Sequence, residues 1–231
     1  MRIFLTGDTH RQFDRIQQFC EQHQTTINDI LFIMGDVGIN YYGNDLGDLK
    51  IKKKLAKLPI TIVGVKGNHE EYAGNIDTYI KQPFFSGAVY VEPAFPNLLF
   101  ARDGEIYTIH DRKILVVGGA YSVDKHFRLA TGKKWFKGEQ PDVATKAYTE
   151  QNLMQHNWKI DYVMTHTCPE KYIPVEMFLS MVDQNTVDRT TEKWLNFIED
   201  RLNYKVWYCG HYHTDKWDNK IRFLFNDIIM L

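Results

Sequence analysis

Five polar clusters in this 231-residue chain carry side chains that could do chemistry together: Gly7-Asp8-Thr9-His10, Gly35-Asp36, Gly67-Asn68-His69-Glu70, Thr165-His166 and Gly210-His211-Tyr212-His213. Each closes an apolar run. Asp8, His10, Asp36, Asn68, His166, His211 and His213 together offer three carboxylate or amide oxygens and four imidazoles. A mixed oxygen and nitrogen set of this kind suits Mn, Fe, Zn or Co and lacks the thiolates of a structural zinc site. These are too many ligands for one ion, whereas two divalent ions about 3.5–4 Å apart, sharing one carboxylate, would use them all. In Asp8-x-His10 and His211-x-His213, alternate residues of an extended segment would share a face and aim at one cluster. The glycines would let the backbone turn sharply as it leaves each run.

Taken singly, the clusters have ordinary structural explanations. Asp8 could cap the helix that follows Arg11, Glu70 could complement the dipole of a first helical turn, and His166 could be a satisfied core histidine. None of these explains why every cluster falls at the end of an apolar run.

The elements that must position these groups are legible in outline. Arg2 to Leu5, Asp29 to Met34 and Ile60 to Val65 read as strands. Between them, Phe13, Ile16, Phe19 and Cys20 recur at helical spacing, and Leu46, Leu49 and Ile51 to Leu58 give a second helix-like pattern. Strand, helix, strand, helix, strand predicts parallel pairing with crossovers, whose carboxyl ends form a ligand crevice. Glu105–Ile109 and Lys113–Val117, with a turn at Asp111-Arg112, predict a hairpin. Tyr121 to Pro141 reads as a long loop, the kind that tends to be functional. A helix is expected from Asp142 to about His156, a strand from Asp161 to Thr165, a late helix around Trp194–Leu202, and a strand from Val206 to Cys209. Asp218-Asn219 is expected to turn the chain into a final strand, Ile221 to Phe225. One α/β domain spanning 1–231 is the simplest organisation.

Composition excludes some functions. Lysine plus arginine (28) nearly balance aspartate plus glutamate (29), so no global basic field exists to hold nucleic acid, and such binding would need a local patch. Cys20, Cys168 and Cys209 are odd in number and widely separated, which supports neither a zinc ribbon nor a disulfide framework. The apolar Met1–Thr6 stretch is too short for a signal-peptide core, and no run is long enough to cross a bilayer. A reduced cytoplasmic protein without a membrane partner is expected.

In this order and at these positions, the five clusters resemble the motif blocks of calcineurin-like metallophosphoesterases, from residue 7 to residue 213. The resemblance implies a four-layer αββα sandwich, two mixed sheets flanked by helices. It implies Asp8, His10 and His213 on a first metal, Asn68, His166 and His211 on a second, and Asp36 bridging, with Mn favoured as the ion. His69 would lie just outside the ligands, beside the scissile ester, and a hydroxide bridging the ions would attack phosphorus in line. Protonated His69 would serve the leaving oxygen, a task its near-neutral pKa suits. The segment from Gly118 to Lys125, with Trp135-Phe136 and Glu139-Gln140-Pro141, is similar to a bacterial and phage-associated subgroup, which implies no substrate.

Two departures narrow the choice. Protein serine/threonine phosphatases of this superfamily carry Asp and Arg three and four residues after the bridging Asp, where this chain has Ile39 and Asn40. Arg11 stands where many members have Gly, and would supply the missing charge. Arg11, Asn40, Tyr41 and His126 are the candidate substrate contacts, and Tyr41 and Trp135 could stack on a nucleobase. The expected partner is a small phosphorylated ester, a nucleotide among the options. A nuclease is an alternative that near-neutral charge disfavours, and a non-catalytic scaffold would be expected to have lost ligands.

Overall fold

A computed structural model of the chain describes residues 1–43 and 45–231. The first third alternates as expected: β1 (Ile3–Thr6), α1 (Asp14–His23), β2 (Ile30–Ile33), α2 (Leu46–Leu55) and β3 (Thr61–Gly64). A meander follows, β4 (Ile80–Phe84), β5 (Gly87–Val91) and β6 (Leu98–Ala101), then the hairpin β7 (Ile106–Ile109) and β8 (Arg112–Val117). The second half comprises α3 (Lys125–Ala130), α4 (Val143–Gln155), β9 (Tyr162–Thr165), α5 (Thr190–Glu199), β10 (Val206–Cys209), β11 (Lys216–Asp218), β12 (Ile221–Phe223) and β13 (Ile228–Met230). The strands form two mixed sheets, one ordered β13-β1-β2-β3-β6-β5-β4 and the other β11-β12-β10-β9-β8-β7.

Strand alternation explains the layering. Ile3 and Leu5 of β1, Ile30 and Phe32 of β2, Ile114 and Val116 of β8, Met164 of β9 and Tyr208 of β10 share one buried cluster between the sheets. Their neighbours face outward. Phe4, Leu31, Ile33 and Ile62 pack with Ile16, Phe19, Cys20 and Leu55 from α1 and α2. Leu115, Val117, Val163, Trp207 and Cys209 pack with Leu153 of α4 and Leu195 and Ile198 of α5. Three apolar interfaces therefore hold four layers, helices outside and sheets inside, which is the expected sandwich.

Several local expectations are corrected. The 121–141 stretch is not all loop: α3 lies in it, although none of its residues is buried, so no apolar period betrayed it. Asp218-Asn219 does turn the chain into Ile221–Phe223, but the strand before the turn is β11, its antiparallel partner; Ile221–Phe223 runs parallel to β10 and is not the final strand. The Asp215 carboxylate then accepts the backbone N–H groups of Phe225, Asn226 and Asp227. The chain crosses there to the other sheet, where β13 pairs with β1 as the last strand. No described helix is long and apolar enough to cross a membrane, and all three cysteines are free and buried.

Candidate metal centre

Residues just past β1, β2, β3, β9 and β10 meet at one edge of the sandwich. Asp8 follows β1 and is almost fully buried. Its Oδ1 accepts the backbone N–H of His211 at 2.9 Å, and its Oδ2 is buried and makes no well-aligned hydrogen bond among the described residues. That oxygen lies 3.3 Å from His213 Nε2 and 3.6 Å from His10 Nε2, and the two imidazole nitrogens are 2.9 Å apart. One cation could take the place of the proton that two such nitrogens must otherwise share.

A second group forms around Asp36. Its Oδ1 accepts the backbone N–H of His69 at 2.8 Å and lies 3.8 Å from His166 Nε2. Its Oδ2 is 3.8 Å from His10 Nδ1 and 4.0 Å from His69 Nε2. His166 is completely buried, with Nδ1 2.7 Å from the Met34 carbonyl. Since a carbonyl only accepts, Nδ1 must donate and a neutral ring turns its Nε2 lone pair inward. That atom is 2.7 Å from Asn68 Oδ1, whose orientation is fixed by Nδ2 donating to Ser122 Oγ at 2.9 Å. Two acceptors this close require a proton or a cation between them. The residues present thus fit a pair of divalent ions. Asp8, His10 and His213 form one convergent set and Asp8, Asp36 and His166 another, with Asn68 and His211 beside the second. Asp8 is common to both sets, whereas the motif resemblance gives the bridging place to Asp36.

Electrostatics favour ligand-ready states at Asp8, Asp36 and His211, and oppose one at His213. Burial opposes ionisation of Asp8, but His166, His213 and His10 outweigh it and hold the carboxyl well below the usual carboxylate range. Asp36 strikes the same balance, burial against His166 and His69, and is also lowered. Desolvation, then the neighbouring His166, pushes His211 down to about 3, which keeps its ring neutral and its lone pair free. The Asp8 carboxylate raises His213. Burial lowers His69, with Asp36 pulling upward and Arg128 downward.

The backbone reaches this arrangement differently from the extended alternation expected of the sequence. His10, Asp36, His211 and His213 all have positive φ, at 44°, 45°, 67° and 51°. Non-glycine residues in this region cost about 1–3 kcal/mol each and gather at functional sites, Asp and His more readily than most. The glycines serve close approach. A Cβ on Gly210 would fall 2.2 Å from Asp8 Oδ1, and one on Gly35, at φ +96°, 2.0 Å from the His166 ring.

Among the other sequence candidates, Tyr41 and His69 line one cleft of about 160 Å³ with His10, Asp36 and Arg128. Arg11 borders it too, but its guanidinium is committed: Nη1 donates to Asp48 Oδ1 at 2.8 Å and to the Gly38 carbonyl, and Nη2 to the Gly47 carbonyl. It braces the loop after Asp36 instead of supplying a free charge. Asn40 is fully buried and accepts a hydrogen bond from Tyr79, so it offers a substrate no surface. His126 is exposed on α3 and lines neither this cleft nor the cavity beside it. Trp135 donates through Nε1 to Glu139 and carries Lys125 Nζ 4.2 Å from its ring centroid, so its ring is already engaged. Asp8 caps no helix, since α1 begins six residues later without a side-chain cap.

Sequence reasoning missed two residues and misassigned a third. Ser122 orients Asn68. Arg128 enters the cleft held by Asp124 at 2.7 Å, and an Asp–Arg pair at i,i+4 was the available signal. Glu70 starts no helix. Its two oxygens accept the backbone N–H groups of Val37 and Gly38 at 3.1 and 3.0 Å, pinning the loop that follows Asp36. Burial, then the Asp36 charge, raises its carboxyl to about 8. Glu70→Ala would strand two buried donors and is expected to lower stability by about 2–4 kcal/mol. Urea unfolding of the metal-free protein measures this, and a loss below about 1 kcal/mol would show that the loop holds without its brace.

No curated protein matches the chain. One solved structure aligns at 14% identity over 96% of this chain and 89% of its own, with a TM-score of 0.52. The crystal structure of TT1561 of Thermus thermophilus aligns at 11% identity over 97% and 88%, with a TM-score of 0.51. At such identities these two speak for the fold alone. The sequence pattern of the calcineurin-like phosphoesterases matches residues 1–215, all five polar clusters included, and the chain belongs to that family.

Proposed function

We propose that this protein hydrolyses a small phosphate ester with two divalent metal ions, Mn favoured, held by Asp8, His10, Asp36, Asn68, His166, His211 and His213. The observation that carries the reading is the buried Asp8 Oδ2 facing two imidazole nitrogens at 3.3 and 3.6 Å, joined to a second set in which His166 Nε2 and Asn68 Oδ1 press together. Two cations bound there supply Lewis-acid polarisation of phosphoryl oxygens and a lowered pKa for water in the site. The chain's own residues do the rest. Asp8 and Asp36 bring two buried negative charges whose ionised state the surrounding histidines favour. His69 stands at the cleft with its ring part-exposed and its backbone tied to Asp36, placed to meet the leaving oxygen; burial disfavours its charged form, so it gives a proton only once the negative charge of a bound phosphoryl group offsets that burial. Tyr41 and Arg128 stand on the same cleft, joined by a 3.4 Å contact between Nη1 and the Tyr41 hydroxyl.

Arg128 takes the phosphate-orienting part for which the sequence suggested Arg11. Its Nε is held by Asp124 and its Nη1 by Tyr41 and the Lys134 carbonyl. No hydrogen bond among the described residues uses Nη2, which leaves donors for an anion. Arg128→Ala is expected to lower kcat/KM about 10–100-fold, mainly through KM, the equivalent of one charge-assisted hydrogen bond. Steady-state kinetics on an aryl phosphate checks this, and an unchanged kcat/KM would remove Arg128 from the substrate.

The reading as a whole is tested by metal analysis of purified protein together with hydrolysis of bis(p-nitrophenyl) phosphate and p-nitrophenyl phosphate in added Mn. Binding of about two ions per chain and chelator-sensitive cleavage of either ester are expected. Protein that binds no divalent ion and cleaves neither ester would refute it.

A further inference from the structure

A cavity of about 320 Å³ opens directly off the candidate ligands, with Asp36, Asn68, His69, His211 and His213 on one side. Its remaining lining is largely apolar and includes Tyr121, Phe178, Leu179, Val182, Val187 and Tyr212. Four of these six come from the stretch between β9 and α5, a connection with three short 3-10 turns at Glu170–Tyr172, Val175–Met177 and Gln184–Thr186. A phosphoryl group and its counter-cations have no use for such a wall, since they are recognised by charge and by hydrogen bonds. Yet Leu179 stays 55% exposed beside the site and Met177, on the same lining, 38%. The wall is also braced. Arg189 sits 5.6 Å from the centroid of the Phe178 ring and donates to Gln184.

A second, independent feature marks the same cavity. Glu192 lines it, is only 4% exposed, and accepts the Thr167 hydroxyl at 2.8 Å through Oε1. Its other oxygen is buried with no hydrogen-bond partner among the described residues. A buried polar atom left unpaired is costly, and in a ligand cavity it is the group that fixes an occupant's orientation.

We infer that this cavity holds the alcohol portion of the substrate, and that the ester cleaved carries a flat ring system with a hydrogen-bond donor, of the size and character of a nucleobase or indole. The inference rests on the phosphoesterase reading and adds the leaving-group class. The cavity lies at the small end of the roughly 300–1,000 Å³ typical of small-molecule sites. It suits one ring system and not a folded phosphoprotein.

The test measures binding, so it does not depend on turnover. Mn-loaded protein is titrated calorimetrically with methylphosphonate, hexylphosphonate and (indol-3-yl)methylphosphonate, which share one headgroup. The indolyl compound is expected to bind at least about tenfold more tightly than either of the others, reflecting the added buried apolar surface. Phe178→Ala, which removes part of the wall, and Val187→Trp, which fills the cavity, should each bring the indolyl-to-methyl ratio toward one. Equal affinity for indolyl and methyl, equal affinity for indolyl and hexyl, or a ratio that survives both substitutions would overturn the cavity assignment while leaving the phosphoesterase reading intact. Failure of all three phosphonates to bind the loaded protein, together with no ester cleavage, would overturn both.

Discussion

Replacing His69 by alanine is expected to lower kcat by about 10²–10⁴-fold, the range for loss of a positioned acid or base, while the metal content of the protein stays nearly unchanged. The separation follows from how the residue is held. The backbone N–H of His69 donates to Asp36 Oδ1 at 2.8 Å, a contact that alanine keeps, so the carboxylate stays oriented. The imidazole contributes little to that scaffold, since its Nδ1 is buried with no hydrogen-bond partner among the described residues and its Nε2 stands 4.0 Å from Asp36 Oδ2. What the ring does is occupy the cleft shared with His10, Tyr41 and Arg128. Metal analysis and kcat on an aryl phosphate, measured on one preparation, check both halves. Equal turnover in the variant would remove His69 from the chemistry, and equal loss of metal and turnover would make it a structural support.

The parts of this architecture that were legible in the sequence are those with strong periodicity. The parallel core β1-β2-β3 and its crossovers follow from short β-branched and aliphatic runs separated by amphipathic helices. The Gly-Asp and Gly-Asn-His clusters mark the carboxyl ends of those strands directly, and Gly-His marks that of β10. What escaped has a common physical cause: weak or missing alternation. β4 is an edge strand with Pro83 in it and no fully buried residue, and α3 buries nothing. Backbone geometry was also hidden. Nothing in the letters of Asp8-x-His10 says that His10 adopts φ 44°, so an extended pair was the natural expectation. The tertiary partner of a surface charge is just as invisible. Arg11 neighbours the ligands in sequence, but Asp48, fully buried at the start of α2, captures it. Arg128 lies far away in sequence and reaches the cleft. The resemblance to a known family covered the cluster order but could not reveal this exchange.

Asp36→Asn should cost metal and activity together, and the substitution is clean because the two side chains share shape and backbone tolerance. Asparagine is among the residues most at ease at positive φ, so φ 45° at this position is not a reason for misfolding. Its Oδ1 can still accept the His69 N–H. The change removes one negative charge and turns an amide donor toward His10 Nδ1 and His69 Nε2, now 3.8 and 4.0 Å from the carboxylate, where a cation is proposed to sit. Affinity for at least one ion is expected to fall a hundredfold or more, beyond the roughly 10–100-fold typical of losing a group that merely orients a ligand. Stability gives the second readout. An ion that binds only the folded chain adds about 2.7 kcal/mol at a concentration of 100 times its Kd, so added Mn should raise the Tm of the parent protein by clearly more than that of the variant. Should the variant keep two ions at parental affinity, the bridging carboxylate is not Asp36. The geometry then leaves Asp8, the one side chain common to both convergent sets, as the residue that joins the two metals.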